Sequence, residues 1–213
     1  INSTLSEAEK RAKLRVGVPD QPSFNNDLYR HVGRGNVWIM EQQPGPVNWA
    51  RHNQSPDDGM VRLWTWLAYA HGVDVICYFR WRQAKFAQEQ FHAALMLPNN
   101  KPDQAFFEVA QIAKERHLLP KTIRGQAPVA LIYDYRSRWG ARILPQGEGY
   151  NPVHHAVDWY AALSKLGVDV DVVGPHASFE GYKVVFVPDM MVDCPEFVTK
   201  LKSLDIKVVL GPR

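Results

Sequence analysis

Apolar positions in this chain alternate between short unbroken runs and helical spacing, and that alternation sets an element order. Ser3 to Val16 is a mostly polar helix, with Thr4 or Ser6 able to cap its start and Gly17 able to stop it. A short helix is expected around Phe24 to His31, ending at Gly33 and Gly35. Val37 to Met40 reads as a strand. Gly59 to His71 reads as a helix with Met60, Leu63, Trp64, Leu67 and Ala68 on one face and Gly72 as its stop. Val73 to Phe79 is a second apolar strand. Strand, helix and strand in that order form a βαβ unit with a right-handed crossover, so both strands run parallel and end on one face. The loops after Glu41 and after Phe79 are therefore expected side by side.

A further helix, Ala105 to Arg116, carries Phe106, Val109, Ile112 and Ala113 at helical spacing. The pattern breaks over Leu119 to Gly125 and restarts, which divides the chain into segments 1–124 and 125–213. The second segment reads as strand 129–133, helix 152–166, strands 168–173 and 184–187, helix 195–204 and strand 207–210. Apolar strands between amphipathic helices predict an α/β fold, here a doubly wound parallel sheet with helices on both faces.

Composition narrows the classes. With 46% hydrophobic and 22% charged residues, 213 residues suffice for a buried core. The net charge of +3 is spread along the chain without a Lys/Arg block, so no nucleic-acid partner is implied. No apolar stretch reaches membrane-span length and no signal-peptide pattern opens the chain. Cys77 and Cys194 lie far apart without a CxxC neighbour, so neither a disulfide framework nor a cysteine zinc site is readable. Cys77, inside an apolar strand, is expected to be a buried thiol. A start at Ile1 and a stop at Gly211-Pro212-Arg213, directly after a strand, suggest a piece of a longer polypeptide.

Candidate chemistry concentrates in the first segment. In Val37-Trp38-Ile39-Met40-Glu41-Gln42-Gln43-Pro44-Gly45-Pro46, an apolar strand hands a carboxylate to a loop stiffened by two prolines. Reactive groups of parallel α/β folds sit at such carboxyl ends. From these residues alone, Glu41 is either a reactive group or a strand-end carboxylate that solvates a turn. Trp49 and Trp81 fall in loops, where no core explains them. Aromatic rings beside carboxylates and amides suit a pyranose, whose C–H face stacks and whose hydroxyls need polar partners. Glu89-x-x-His92 has a metal reading as well, since carboxylate and imidazole at i, i+3 share a helical face, though no second such pair accompanies it.

Met40-Glu41-Gln42-Gln43-Pro44-Gly45-Pro46-Val47-Asn48-Trp49, Gly59-Met60-Val61-Arg62-Leu63-Trp64-Thr65-Trp66, Tyr78-Phe79-Arg80-Trp81-Arg82-Gln83 and Ala87-Gln88-Glu89-Gln90-Phe91-His92 together resemble the β-galactosidases of glycoside hydrolase family 42. The resemblance implies that residues 1–124 are strands seven and eight of a TIM barrel with their helices. It implies that Glu41 is the catalytic nucleophile and that Trp49, Glu89 and His92 contact galactose. The second segment resembles the family's trimerisation domain, similar to flavodoxin-like and amidotransferase-like domains and incomplete at its C-terminus. No nucleophilic Cys sits on a strand-to-helix turn there; Cys194 precedes Pro195 near a helix start, where a helix dipole can lower a thiol pKa, or it is structural. His154 and His155 read as surface or interface residues.

One departure matters: the family's acid/base glutamate follows an Asn, and no Asn-Glu dipeptide occurs in this chain. The implied function is hydrolysis of terminal β-D-galactose by a retaining two-carboxylate mechanism, with this chain supplying the nucleophile half. The rival is a non-catalytic sugar-binding or assembly module without the acid/base residue. The expected partners are a β-galactoside, the remainder of the barrel and two further copies in a homotrimer, with no cofactor, metal or membrane and a cytoplasmic location.

Overall fold

The computed structural model describes residues 6–118, 125–145 and 147–211. Thr4 and most of the expected 119–125 break lie outside them. The chain forms two compact units, one from the described residues of 1–19 and 36–123, the other from those of 20–35 and 124–213.

In the first unit, helix α1 (Glu7–Arg15) starts on a reciprocal cap: Glu9 N–H donates to Ser6 Oγ at 3.2 Å and Ser6 N–H to Glu9 Oε2 at 2.8 Å. Strands β1 (Trp38–Gln42) and β2 (Val75–Tyr78) pair in parallel, joined by helix α3 (Met60–Ala70). Their register pairs Trp38 with Val75 and Gln42 with Tyr78, with an irregularity between Ile39 and Gln42 just before the strand end. Val37, Ala68 and Val73 form the core between strands and helix, with Ile39 and Ile76 against it. Val61, Leu95 and Ala105 form a second cluster towards helix α4 (Gln104–Glu115).

Two expected helix faces shift. The buried stripe of α3 is Val61, Thr65 and Ala68 with Met60 and Tyr69, while Leu63 is exposed. On α4 the buried residues are Ala105, Glu108 and Ile112. Glu108 is buried because it caps α3, accepting from the amides of Gly59 and Arg62 at 2.9 Å each. Apolar spacing cannot reveal a carboxylate recruited inward by a neighbouring helix N-terminus. Trp38 and Met40 stay 56% and 68% exposed on β1. Cys77 is only half-buried, because a two-stranded ribbon does not enclose its own strands.

The second unit holds a four-stranded parallel sheet in the order β4-β3-β5-β6: β3 (Val129–Ile132), β4 (Val170–Val173), β5 (Val184–Val187) and β6 (Lys207–Leu210). This neighbour order is that of a flavodoxin-like doubly wound sheet. β3 and β4 are buried throughout and β6 is exposed as the edge strand. Helices α6 (Pro152–Lys165) and α7 (Pro195–Lys202) lie where periodicity put them, α6 capped by the Asn151 side chain. Cys194 is buried in the core with Ala130, Val185 and Phe197, a packing role.

Two features differ from the sequence reading. Helix α5 (Tyr135–Ile143) has no signature in the apolar pattern, because Tyr-Arg-Ser-Arg-Trp-Gly-Ala-Arg-Ile shows no apolar stripe. What starts it is Asp134, whose carboxylate accepts from the amides of Arg136 and Ser137 and from Ser137 Oγ. The second difference concerns α2 (Asp20–Val32), expected within the 1–124 segment. It packs on the second unit instead, where Phe24 and Leu28 join the core of Val129, Leu131, Tyr160 and Val172. Fully buried Asp27 accepts from Arg30 at 2.9 Å and from the Tyr160 hydroxyl, and Arg30 also reaches Asp171 at 2.9 Å. No helix among the described residues is long and apolar enough to cross a membrane.

Candidate active site

The parallel pairing of β1 and β2 places the loops that follow them at one end of the ribbon. Glu41 is the penultimate residue of β1 and is exposed there. Just beyond it, Phe79 N–H donates to Gln42 C=O at 3.0 Å and prolongs the pairing past β2. The two loops are then tied together. Ala93 N–H donates to Pro46 C=O at 2.9 Å, and Asn48 Nδ2 donates to Gln88 C=O at 2.8 Å. Gly45 sits where the backbones come closest: a Cβ built on it would lie 2.7 Å from that of Ala93. That contact explains a glycine between two prolines better than turn propensity does.

After β2 the chain folds back on itself. Leu95 N–H donates to Arg80 C=O, Met96 N–H to Trp81 C=O and Gln83 N–H to Met96 C=O, all at 2.8 to 2.9 Å. Gln83 Nε2 holds Gln90 C=O at 2.6 Å. Between these pins, residues 86–92 form turns rather than a helix, with Gln90 N–H on Ala87 C=O and His92 N–H on Glu89 C=O. The helical face that the metal reading of Glu89 and His92 required is therefore absent. Among the described residues no group of three or more His, Cys, Asp or Glu side chains could hold a metal ion.

His92 is 2% exposed, its Nδ1 lies 3.1 Å from Ala93 C=O, and its ring meets Phe79 edge-on at 5.1 Å. Glu89 forms an ion pair with Arg80 at 3.0 Å. Trp49 is 74% exposed, an open aromatic surface rather than a core residue. Behind the site, Tyr78 OH lies 2.7 Å from Thr65 Oγ1, and burial pushes the phenol up to about 12, so this pair stays neutral and serves to fix β2 on α3. Glu41 at the end of β1 and Trp49, Glu89 and His92 on the two tied loops thus lie at one end of the ribbon, although no hydrogen bond joins Glu41 to Glu89 or His92 among the described residues. Arg80, which no motif role singles out in the sequence, joins this group through Glu89. The signal available was its position, a cation two residues past a strand end and nine before a carboxylate.

A carboxylate at the carboxyl end of a parallel strand, beside a loop rich in polar and aromatic groups, is placed where parallel α/β folds carry their reactive groups. The β-galactosidase model of glycoside hydrolase family 42 matches residues 4–119, and the β-galactosidase trimerisation domain model matches residues 127–205. The chain belongs to the family 42 β-galactosidases. A β-galactosidase of Thermus sp. is 50% identical over 209 residues, covering 98% of this chain and 32% of that relative. The crystal structure of β-galactosidase from the psychrophilic Marinomonas ef1 superposes with a TM-score of 0.92 at 41% identity, over 100% of this chain and 34% of that one. A β-galactosidase of the Antarctic haloarchaeon Halorubrum lacusprofundi gives 0.90 at 36% identity, over 94% and 30%. The chain spans about a third of the length of the curated relatives it matches. The first unit is accordingly part of a TIM barrel, followed by a parallel-sheet domain.

Proposed function

We propose that this chain supplies the nucleophile half of a retaining β-galactosidase site. The observation that carries the reading is the placement of Glu41 at the carboxyl end of β1, whose following loop is tied through Pro46–Ala93 and Asn48–Gln88 to the loop bearing Glu89 and His92. In the reaction, the Glu41 carboxylate attacks the anomeric carbon of a bound β-galactoside while a second carboxyl, about 5 Å away, protonates the departing glycosidic oxygen. The C–O bond to the leaving group breaks as the Glu41–sugar ester forms. Water, deprotonated by the second group, then releases galactose and regenerates Glu41. The second carboxyl is supplied by residues outside this chain, which has no Asn-Glu dipeptide.

Glu89 and His92 hold sugar hydroxyls and Trp49 packs on the ring. The exposed Trp38 and Met40 on β1 support a further part of the barrel covering that strand. The match of residues 127–205 to a trimerisation domain supports assembly of three copies. The deciding experiment is trapping with a 2-deoxy-2-fluoro-β-galactoside in a polypeptide of the relatives' length that contains these residues. The label belongs on the peptide with Glu41; a label on any other carboxylate, or turnover with inversion, refutes the reading.

A further inference from the structure

Arg80 lies two residues past the end of β2 and turns back on the 86–92 loop. Its Nη1 donates to Glu89 Oε2 at 3.0 Å and its Nη2 to the Glu89 carbonyl at 3.2 Å. One planar fork thus grips the side chain and the backbone of one residue, which fixes the carboxylate's direction as a point charge could not. The same guanidinium lies over the Phe79 ring at 5.3 Å, and that ring meets His92 edge-on at 88°. Arg80 itself is pinned by Leu95 N–H on its carbonyl at 2.9 Å. Its Nε is buried with no hydrogen-bond partner among the described residues. A buried donor left unsatisfied opposes stability, so the guanidinium is better accounted for by what its two Nη groups do for Glu89 than by what it adds to the fold.

This grip decides what Glu89 and His92 can offer a ligand. Oε2 of Glu89 is committed to Arg80, which leaves Oε1 without a protein partner among the described residues. Nδ1 of His92 lies 3.1 Å from the Ala93 carbonyl, which can only accept, so Nδ1 carries a hydrogen and the tautomer this selects presents Nε2 as an acceptor. We propose that Arg80 is the positioning residue of the sugar subsite: by holding Oε2 and the main-chain carbonyl of Glu89, it aims Oε1 so that, with Nε2 of His92, two acceptors receive galactose hydroxyls as donors. The assignment rests on Glu89 and His92 contacting the sugar, as read above.

The test is a double-mutant cycle in a polypeptide of the relatives' length containing these residues, with an aryl β-galactoside and its monodeoxy analogues as substrates. Arg80→Met should lower kcat/KM about 30-fold and Arg80→Lys by less, since lysine keeps the charge and loses the fork. In the Glu89→Ala background the further loss from Arg80→Met should shrink below about threefold, as it should on the deoxy analogue whose turnover Glu89→Ala leaves unchanged. An Arg80→Met loss that persists in full in the Glu89→Ala background, or that is the same for every deoxy analogue, overturns the proposal. If Arg80→Met does not fold, the same cycle run with Arg80→Lys decides. A loss for Glu89→Ala with none for either Arg80 variant refutes the positioning role alone. No loss for Glu89→Ala on any substrate refutes the sugar-contact reading, and the positioning role falls with it.

Discussion

The amide of Phe79 donates to the carbonyl of Gln42 at 3.0 Å, one residue beyond Glu41 on one strand and one residue before Arg80 on the other. This bond holds the strand end that carries the carboxylate against the loop that carries the sugar-binding candidates. It makes the two halves of the proposed subsite a single backbone-bonded object.

Glu41→Gln is nearly isosteric and removes only the charge of the attacking group. In the complete polypeptide it should lower kcat on an aryl β-galactoside by at least about 10³-fold, on the order of 4 kcal/mol of barrier, while leaving the unfolding midpoint close to wild type. Activity within about tenfold of wild type would remove Glu41 from the nucleophile role.

Glu89→Ala and His92→Ala separate binding from chemistry. Each should cost about 1–4 kcal/mol in kcat/KM through lost hydroxyl contacts. Treatment with EDTA should leave wild-type turnover unchanged, and reactivation of a chelated enzyme by zinc would revive the metal reading of this pair.

Gly45→Ala tests the close approach of the two loops. A methyl 2.7 Å from Ala93 Cβ must push Pro46 and Ala93 apart, with a cost of about 1–3 kcal/mol in stability and a fall in kcat/KM. The double variant Gly45→Ala, Ala93→Gly should recover most of both losses. Recovery of neither would show that the loops are not held by this contact.

What the sequence made legible was whatever rests on local pattern. The strands β1 to β6, the side-by-side placement of the loops after β1 and β2 and the helices α3, α4, α6 and α7 all follow from apolar runs and spacing. What it hid depends on long-range partners. Helix α2 is ordinary by pattern, and nothing local says that Asp27 and Arg30 belong with Asp171, 141 residues beyond Arg30. Glu108 is polar in sequence and buried in fact, because the N-terminus of α3 needs it. The motif marks Glu41, Trp49, Glu89 and His92 as candidates, whereas no local pattern marks Arg80, whose fork on Glu89 appears only in the fold.

Asp189 gives the second unit a pH dependence of definite sign. Burial raises its pKa in the fold, opposed by the hydrogen bond from Tyr150 OH at 2.7 Å. The native state therefore holds that proton to higher pH than the unfolded chain does, and stability falls as pH rises from the unfolded to the folded value. Above the folded value the whole penalty stands. Asp189→Asn keeps an acceptor for Tyr150 and removes the charge, so its urea midpoint should exceed wild type at pH 7, with the difference shrinking as pH approaches 4. A variant less stable than wild type at pH 7 would mean that the charge is favourable where it lies.

Sequence order assigns helix α2 to one segment, and packing assigns it to the other. Arg30 serves two carboxylates at once, Asp27 with 0% exposure and Asp171, itself an acceptor for the Ala127 amide and the Tyr182 hydroxyl. Replacing it by Met keeps the stem and removes the cation, leaving negative charge in a place water does not reach. Breaking such a pair costs about 3–5 kcal/mol, far more than an exposed ion pair. Arg30→Met should lower the stability of the second unit by that amount, and adding Asp171→Asn should return part of it because one of the two charges is then gone. The same logic predicts that a polypeptide of residues 125–213 is less stable than one that retains 20–35, since Phe24 and Leu28 complete the core on β3 and β4. Limited proteolysis of the complete polypeptide should leave 20–35 protected together with the sheet. Cleavage within α2 under conditions where β3 and β4 stay intact would show that the helix is not part of that cooperative unit.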